Sequence, residues 1–140
     1  MVRISNIDII RILQENSRIP YLEIAKTLGV SETAIRKRIR KLEEEGIIRK
    51  YTIEVDHKKL GFEINTLIGI DTKPENYLTV LETLKNMEDV KSLYSASGDH
   101  MILIECWFQN SKQLTKFCRK LQEINGVTRI CPAIILEKIK

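Results

Sequence analysis

Three segments of helical period before residue 47, then a strand–helix–strand pattern that recurs at an offset of 37 residues after Gly61, predict an α+β chain in two parts. Residues 1–47 form a three-helix domain of the winged helix-turn-helix type. Residues 48–61 form a strand and hinge linker, and residues 62–140 a ferredoxin-like βαββαβ domain. Charge divides in the same place. Residues 1–60 hold 13 Lys and Arg against 9 Asp and Glu, whereas residues 61–140 hold 10 of each, so the net charge of +4 lies wholly in the first half. A basic module is joined to a neutral one.

The first helix begins at Ser5, which can cap it, with Asp8 three residues later completing a capping-box pattern. Ile9, Ile10 and Leu13 then give one apolar stripe. "NSRIP" interrupts, and Pro20 stands where a helix can start, since its missing N–H costs nothing there. The second helix presents Ile24, Ala25 and Leu28 and stops at Gly29, the residue best suited to a left-handed cap. Ser31 caps a third helix that runs to about Glu45 and ends at Gly46.

The third helix, in "LGVSETAIRKRIRKLEEEG", packs five basic side chains into the six positions from Arg36 to Lys41. At about 100° per residue, Ile35, Ile39 and Leu42 fall within about 60° of one another and must face the other helices. Thr33, Arg36, Lys37 and Arg40 fall within about 100° on nearly the opposite side. Ala25, Gly29 and Ile35 fit the helix-turn-helix spacing: a small residue where two helices cross, glycine in the turn, an apolar anchor in the second helix. That spacing makes the basic helix the one that enters a DNA major groove. Candidate contacts to double-stranded DNA are therefore Ser31, Thr33, Arg36, Lys37, Arg40 and Lys41. The arginines have the fork geometry for guanine edges or phosphates, the lysines suit phosphates, and the hydroxyls lie at the helix N-terminus.

"GIIRKYTIEVDHKKLGF" alternates apolar and polar residues through Ile48, Tyr51, Ile53 and Val55, predicting a strand over about 48–55 and a turn at "DHKKLG". Arg49, Lys50, Lys58 and Lys59 either extend the phosphate contacts or belong to a solvated linker. Beyond Gly61, Tyr77, Val80, Leu84 and Met87 reappear as Leu114, Phe117, Leu121 and Ile124, and Val90, Leu93 and Tyr94 as Val127, Ile130 and Cys131. Each copy reads strand, helix, strand, with Pro74 starting the first helix and Gly126 stopping the second. Two such copies fold to a four-stranded antiparallel sheet with both helices on one face. The other face carries many aliphatic residues, so a second subunit is expected to cover it.

Composition excludes several classes. With 43% hydrophobic and 30% charged residues the chain is expected to fold. No apolar run approaches the length of roughly 20 residues needed to cross a bilayer. "MVRISNIDIIRILQ" lacks the apolar core of a signal peptide, so a cytoplasmic protein without a membrane partner is expected. Cys106, Cys118 and Cys131 form no C-x-x-C pair, and His57 and His100 do not repeat at ligand spacing. Cys131, Cys118 and His100 are the candidates for a metal site assembled in three dimensions, but reduced cysteines packed as small hydrophobes are expected, with no metal and no cofactor.

Taken in order, "SETAIRKRIRKLEEEGIIRKYTI", "SASGDHMILIE" and "GVTRICPAIILEKIK" resemble the Lrp/AsnC, or feast/famine, family of transcription regulators across essentially the whole chain. The resemblance implies a RAM- or ACT-like second domain and DNA binding by dimers that associate further, commonly to octamers. It also implies control of metabolic genes and of the protein's own gene, and an amino-acid effector. The family's sensing turn is similar to Gly98, Asp99 and His100, preceded by Ser95 and Ser97. Two departures make this pocket more apolar: Met101 stands where many members carry a second acidic residue, and Cys131-Pro132-Ala133-Ile134 where many carry small hydroxylated residues. Gly98-Asp99 also suits a tight hairpin turn in its own right.

An enzyme using Asp99, His100 and Cys131 is the rival from another class, but no phosphate-cradling glycine loop, paired-carboxylate motif or nucleophile elbow is present. A nucleoid-architectural protein of low sequence specificity would use the same basic helix and oligomer. RNA binding on the sheet lacks the stacking aromatics it needs.

Overall fold

The computed structural model describes residues 3–140. The chain divides into two compact units at Glu54/Val55, inside the predicted linker.

The first unit holds α1 (Asn6–Glu15), α2 (Tyr21–Leu28) and α3 (Glu32–Glu44). Ser5 caps α1 by accepting a hydrogen bond from the Asp8 amide at 3.3 Å, and Ser31 caps α3 by accepting from Ala34 at 3.1 Å. Each cap satisfies an amide that the helix leaves without a partner. Pro20 sits at the N-cap of α2. Ile9, Leu13, Ile24, Ala25, Ile35, Ile39 and Leu42 make one core, with Leu28, Val30 and Ile48 packed against it. Between α2 and α3, Gly29 adopts φ 68° and ψ 37°, and the Val30 amide donates to the Ala25 carbonyl at 3.0 Å. A β-branched side chain is strained in that left-handed conformation. Gly29→Val is expected to cost roughly 1–2 kcal/mol, read as a lower urea midpoint for the helical unit with unchanged far-ultraviolet dichroism.

The strand predicted over 48–55 does not form. Residues 49–56 have no regular structure, and Tyr51 and Ile53 are exposed, Ile53 at 78%. The alternation is present, but among the described residues the first unit has no other strand to pair with it, and an isolated strand leaves its backbone groups unpaired. The predicted turn at "DHKKLG" is a short 3₁₀ turn, Lys58–Leu60, closed by Gly61.

The second unit follows the duplicated pattern: β1 (Ile64–Thr72), α4 (Tyr77–Lys85), β2 (Val90–Ser95), β3 (Ile102–Phe108), α5 (Ser111–Gln122) and β4 (Val127–Ile135). The sheet order is β2-β3-β1-β4, antiparallel throughout, as a doubled βαβ unit requires. Ile68, Ile70, Ile102, Ile104, Cys106 and Phe108 meet Val80, Leu84, Leu114, Phe117 and Leu121 of the two helices in one core. Thr66 is buried among them, and its hydroxyl donates to the Cys106 carbonyl at 2.9 Å. Three boundaries differ from expectation. The first helix starts with a 3₁₀ turn at Pro74, α5 ends at Gln122 with Gly126 beyond it in the turn to β4, and β4 stops at Ile135.

The opposite sheet face carries aromatic and charged residues as well as the expected aliphatic ones, and part of it is covered by the chain itself. Trp107 on β3 has the rings of His57 and Phe62 at 6.0 and 5.9 Å and the Lys91 ammonium over its face at 5.3 Å. Leu136 and Ile139 beyond β4 and Tyr94 on β2 remain exposed.

Candidate nucleic-acid interface

On α3 the buried and exposed sides separate as the helical wheel requires. Ile35, Ile39 and Leu42 are at most 1% exposed, while Ser31, Thr33, Arg36, Lys37, Arg40 and Lys41 are all exposed. The fifth basic residue of the run, Arg38, has a different task. It is half-buried and donates to the Asn6 side chain at 2.9 Å and to the Ile4 carbonyl at 3.5 Å, tying α3 to the start of α1.

The exposed cations are not equally free. Arg36 bonds Glu32 one turn earlier at 2.8 Å, and its guanidinium lies 5.3 Å from the Tyr21 ring centroid. Two weak contacts of this kind narrow its rotamers at little cost to its charge. Lys41 is 3.8 Å from Glu45. Lys37 and Arg40 form no ion pair among the described residues. The Ser31 hydroxyl oxygen accepts the cap bond, which leaves its proton available to an acceptor outside.

The second candidate cluster, Gly98, Asp99 and His100, lies in the connection between β2 and β3. Gly98 has φ 108°, as a tight turn demands, and Asp99 is exposed. His100 turns back onto the sheet, where its Nδ1 lies 3.0 Å from the Asp71 carboxylate on β1. The other Asp71 oxygen accepts from the Met101 amide at 3.0 Å. A side chain at position 69 would collide with the His100 ring, since a Cβ there would lie 2.3 Å from it. Gly69 therefore gives His100 room to lie flat. Neither Gly69 nor Asp71 was among the sequence candidates. A glycine interrupting the apolar run "TLIGI" was the available signal, since glycine inside a strand often marks a close approach.

Burial alone would raise the Asp71 carboxyl. The bonds from His100 and the Met101 amide, with the charges of His100 and Arg129, outweigh it and hold the pKa below the ordinary carboxylate value of 3.8. A lowered folded-state pKa contributes stability above the unfolded value and loses it as pH falls through the folded one. Asp71→Asn is therefore expected to lower the urea midpoint at pH 7, with the difference shrinking below about pH 4 as wild-type Asp71 itself becomes protonated. An equal difference at pH 7 and pH 3 would contradict that assignment.

Cys118 and Cys131 do not converge. Cys118 packs from α5 against the helix-covered core, whereas Cys131 pairs with Gly69 on β1 and lies outside that core. No group of three metal-ligating side chains occurs among the described residues. Burial first, then nearby Asp89, pushes the Cys106 thiol up to about 12, so it is a packed thiol rather than a nucleophile. No helix among the described residues is long and apolar enough to cross a membrane.

Residues 3–49 match the family model for winged helix-turn-helix DNA-binding domains, and residues 65–140 match that for the Lrp/AsnC ligand-binding domain. The HTH-type transcriptional regulator LrpA of Pyrococcus horikoshii is 50% identical over 133 residues, covering 94% of each chain. The chain belongs to the Lrp/AsnC family. LrpA1 of Halobacterium salinarum is 35% identical over 133 residues, again 94% of each chain. Among solved structures, E. coli AsnC superposes with a TM-score of 0.81 at 30% identity, covering 99% of this chain and 95% of that one. These Lrp/AsnC relatives are transcription regulators and not enzymes, which sets aside the catalytic reading of Asp99, His100 and Cys131. They do not favour the nucleoid-architectural alternative either.

Proposed function

We propose that this Lrp/AsnC regulator binds double-stranded DNA through Ser31, Thr33, Arg36, Lys37, Arg40 and Lys41, with α3 in the major groove, and controls its own gene and metabolic genes. The observation that carries this reading is the opposition of faces on α3: three side chains buried to 1% exposure or less on one side, an exposed basic stripe on the other. A helix so divided can belong to a protein core and a groove together. Arg36 and Arg40 suit base edges, and Lys37 and Lys41 suit phosphates. A protein of this kind works in the cytoplasm, where its DNA is.

The working form is a homodimer that assembles further, to an octamer. Support comes from the exposed apolar side chains of the second unit, Tyr94, Leu136 and Ile139, which a second copy would remove from water. An amino-acid effector would bind at Gly98, Asp99 and His100. Many family members carry a carboxylate at the position of Met101; here Asp71 brings one to the Met101 amide from β1 instead. It could meet an ammonium group through a charge-assisted bond.

Footprinting the region upstream of the protein's own gene, at fixed salt and with each amino acid in turn, tests this reading. Protection of a palindromic site with half-sites about one helical turn apart is expected. Diffuse coverage without a preferred site would contradict it.

A further inference from the structure

We propose that the outward face of α5 is a second DNA-contacting surface, one that holds the phosphate backbone without reading sequence. This rests on the DNA-binding reading above and adds to it a surface outside the helix-turn-helix. Lys112, Lys116, Arg119 and Lys120 are all exposed. At about 100° per residue they share an arc of about 100°, turned away from the buried Leu114, Phe117 and Leu121. The helix, SKQLTKFCRKLQ, contains no acidic residue. None of the four cations forms an ion pair among the described residues. Asp89 and Glu123 border the hollow beside Lys116, Arg119 and Lys120, but neither comes within ion-pair distance of them.

The fold does not require this stripe. Its duplicate, 37 residues earlier on the α4 side, has Glu75, Thr79, Glu82 and Thr83 at the corresponding positions. At these four equivalent places one copy thus presents four cations and the other two carboxylates and two neutral hydroxyls. Helix stability does not account for it either. Arg119 and Lys120 favour the C-terminal end of the helix dipole, but Lys112 is the second residue of α5, where the dipole disfavours a cation. The domain is neutral, with 10 basic and 10 acidic residues over 61–140, yet four of those cations sit on this one stripe. From Lys112 to Lys120 the stripe is about 12 Å long at 1.5 Å per residue. Duplex DNA carries a charge for about every 1.7 Å of its axis, so a stripe of that length can face several phosphates. Three of the four cations are lysines, which meet phosphates as compact point charges rather than reading base edges.

The test is the salt dependence of DNA binding by the full chain. The quadruple variant Lys112→Gln, Lys116→Gln, Arg119→Gln, Lys120→Gln is compared with wild type on the gene's own upstream region and on random-sequence duplex. Each phosphate contact removed should lower the slope of log K against log salt by about 0.9. A fall of about 2 or more per bound subunit is expected, with roughly tenfold or greater loss of affinity on both DNAs and an unchanged ratio between them. Lys112→Arg, Lys116→Arg, Lys120→Arg should keep the wild-type slope, and dichroism should show the quadruple variant folded. An unchanged slope overturns the proposal, as does a variant that loses assembly while its slope per bound subunit stays the same. Wild type that binds no duplex would overturn the functional reading itself, a different result from binding that ignores α5.

Discussion

Replacing Arg36 and Arg40 together by alanine is expected to weaken binding to the specific site by about 2–4 kcal/mol, roughly 30- to 1,000-fold, while leaving the fold intact. Both side chains lie on the exposed face of α3, and the core beneath them is made by Ile35, Ile39 and Leu42. Within the protein, the substitutions remove the exposed Arg36–Glu32 pair at 2.8 Å and the stacking of Arg36 on Tyr21. Exposed pairs of this kind contribute less than about 1 kcal/mol to stability. Binding and stability should therefore separate. Anisotropy titration against the specific site and a random duplex, beside urea melts of both proteins, reads the two effects. Unchanged specific affinity would remove the recognition-helix assignment.

The reverse separation is expected for Ile39→Ala. Ile39 is fully buried in the small core of the three helices, and truncating a buried isoleucine costs about 2–5 kcal/mol. A helical unit of this size has little more stability than that to lose. The variant is expected to melt its first unit at low urea and to lose DNA affinity with it. The strands of the second unit, whose core shares no residue with the first, should keep their own transition. Loss of binding without loss of helical dichroism would mean that Ile39 faces DNA rather than the core.

These two variants rest on the part of the molecule most legible in the sequence. Ser5, Gly29 and Ser31 mark helix ends by chemistry local to each end, and Ile35, Ile39 and Leu42 mark a buried face by spacing alone. The duplicated half was legible for the same reason: the 37-residue offset reproduces the strand and helix order and the antiparallel sheet. What the sequence concealed depends on contacts between distant residues. Ile48 to Val55 alternates as a strand does, but alternation does not supply a pairing partner, and the segment has no regular structure. Asp71 and His100 are 29 positions apart, and only the pairing of β1 with β3 brings them within 3.0 Å. Lys58 and Lys59 read as phosphate contacts or as a solvated linker, while flanking His57 and Phe62 pack on Trp107 some 45 positions or more away. Gly98, Asp99 and His100 looked like one cluster. In the structure His100 leaves the turn for the sheet and Asp99 stays in water.

The central claim is that α3 selects a DNA sequence rather than merely gripping a polyanion. The most direct measurement is the ratio of affinities for the upstream site and for random duplex at one stated salt concentration, for wild type and for the Arg36→Ala, Arg40→Ala variant. The account predicts a wild-type ratio of about 10³ or more that falls by at least tenfold in the variant. A ratio near unity in wild type, or one that the double substitution leaves unchanged, would contradict it.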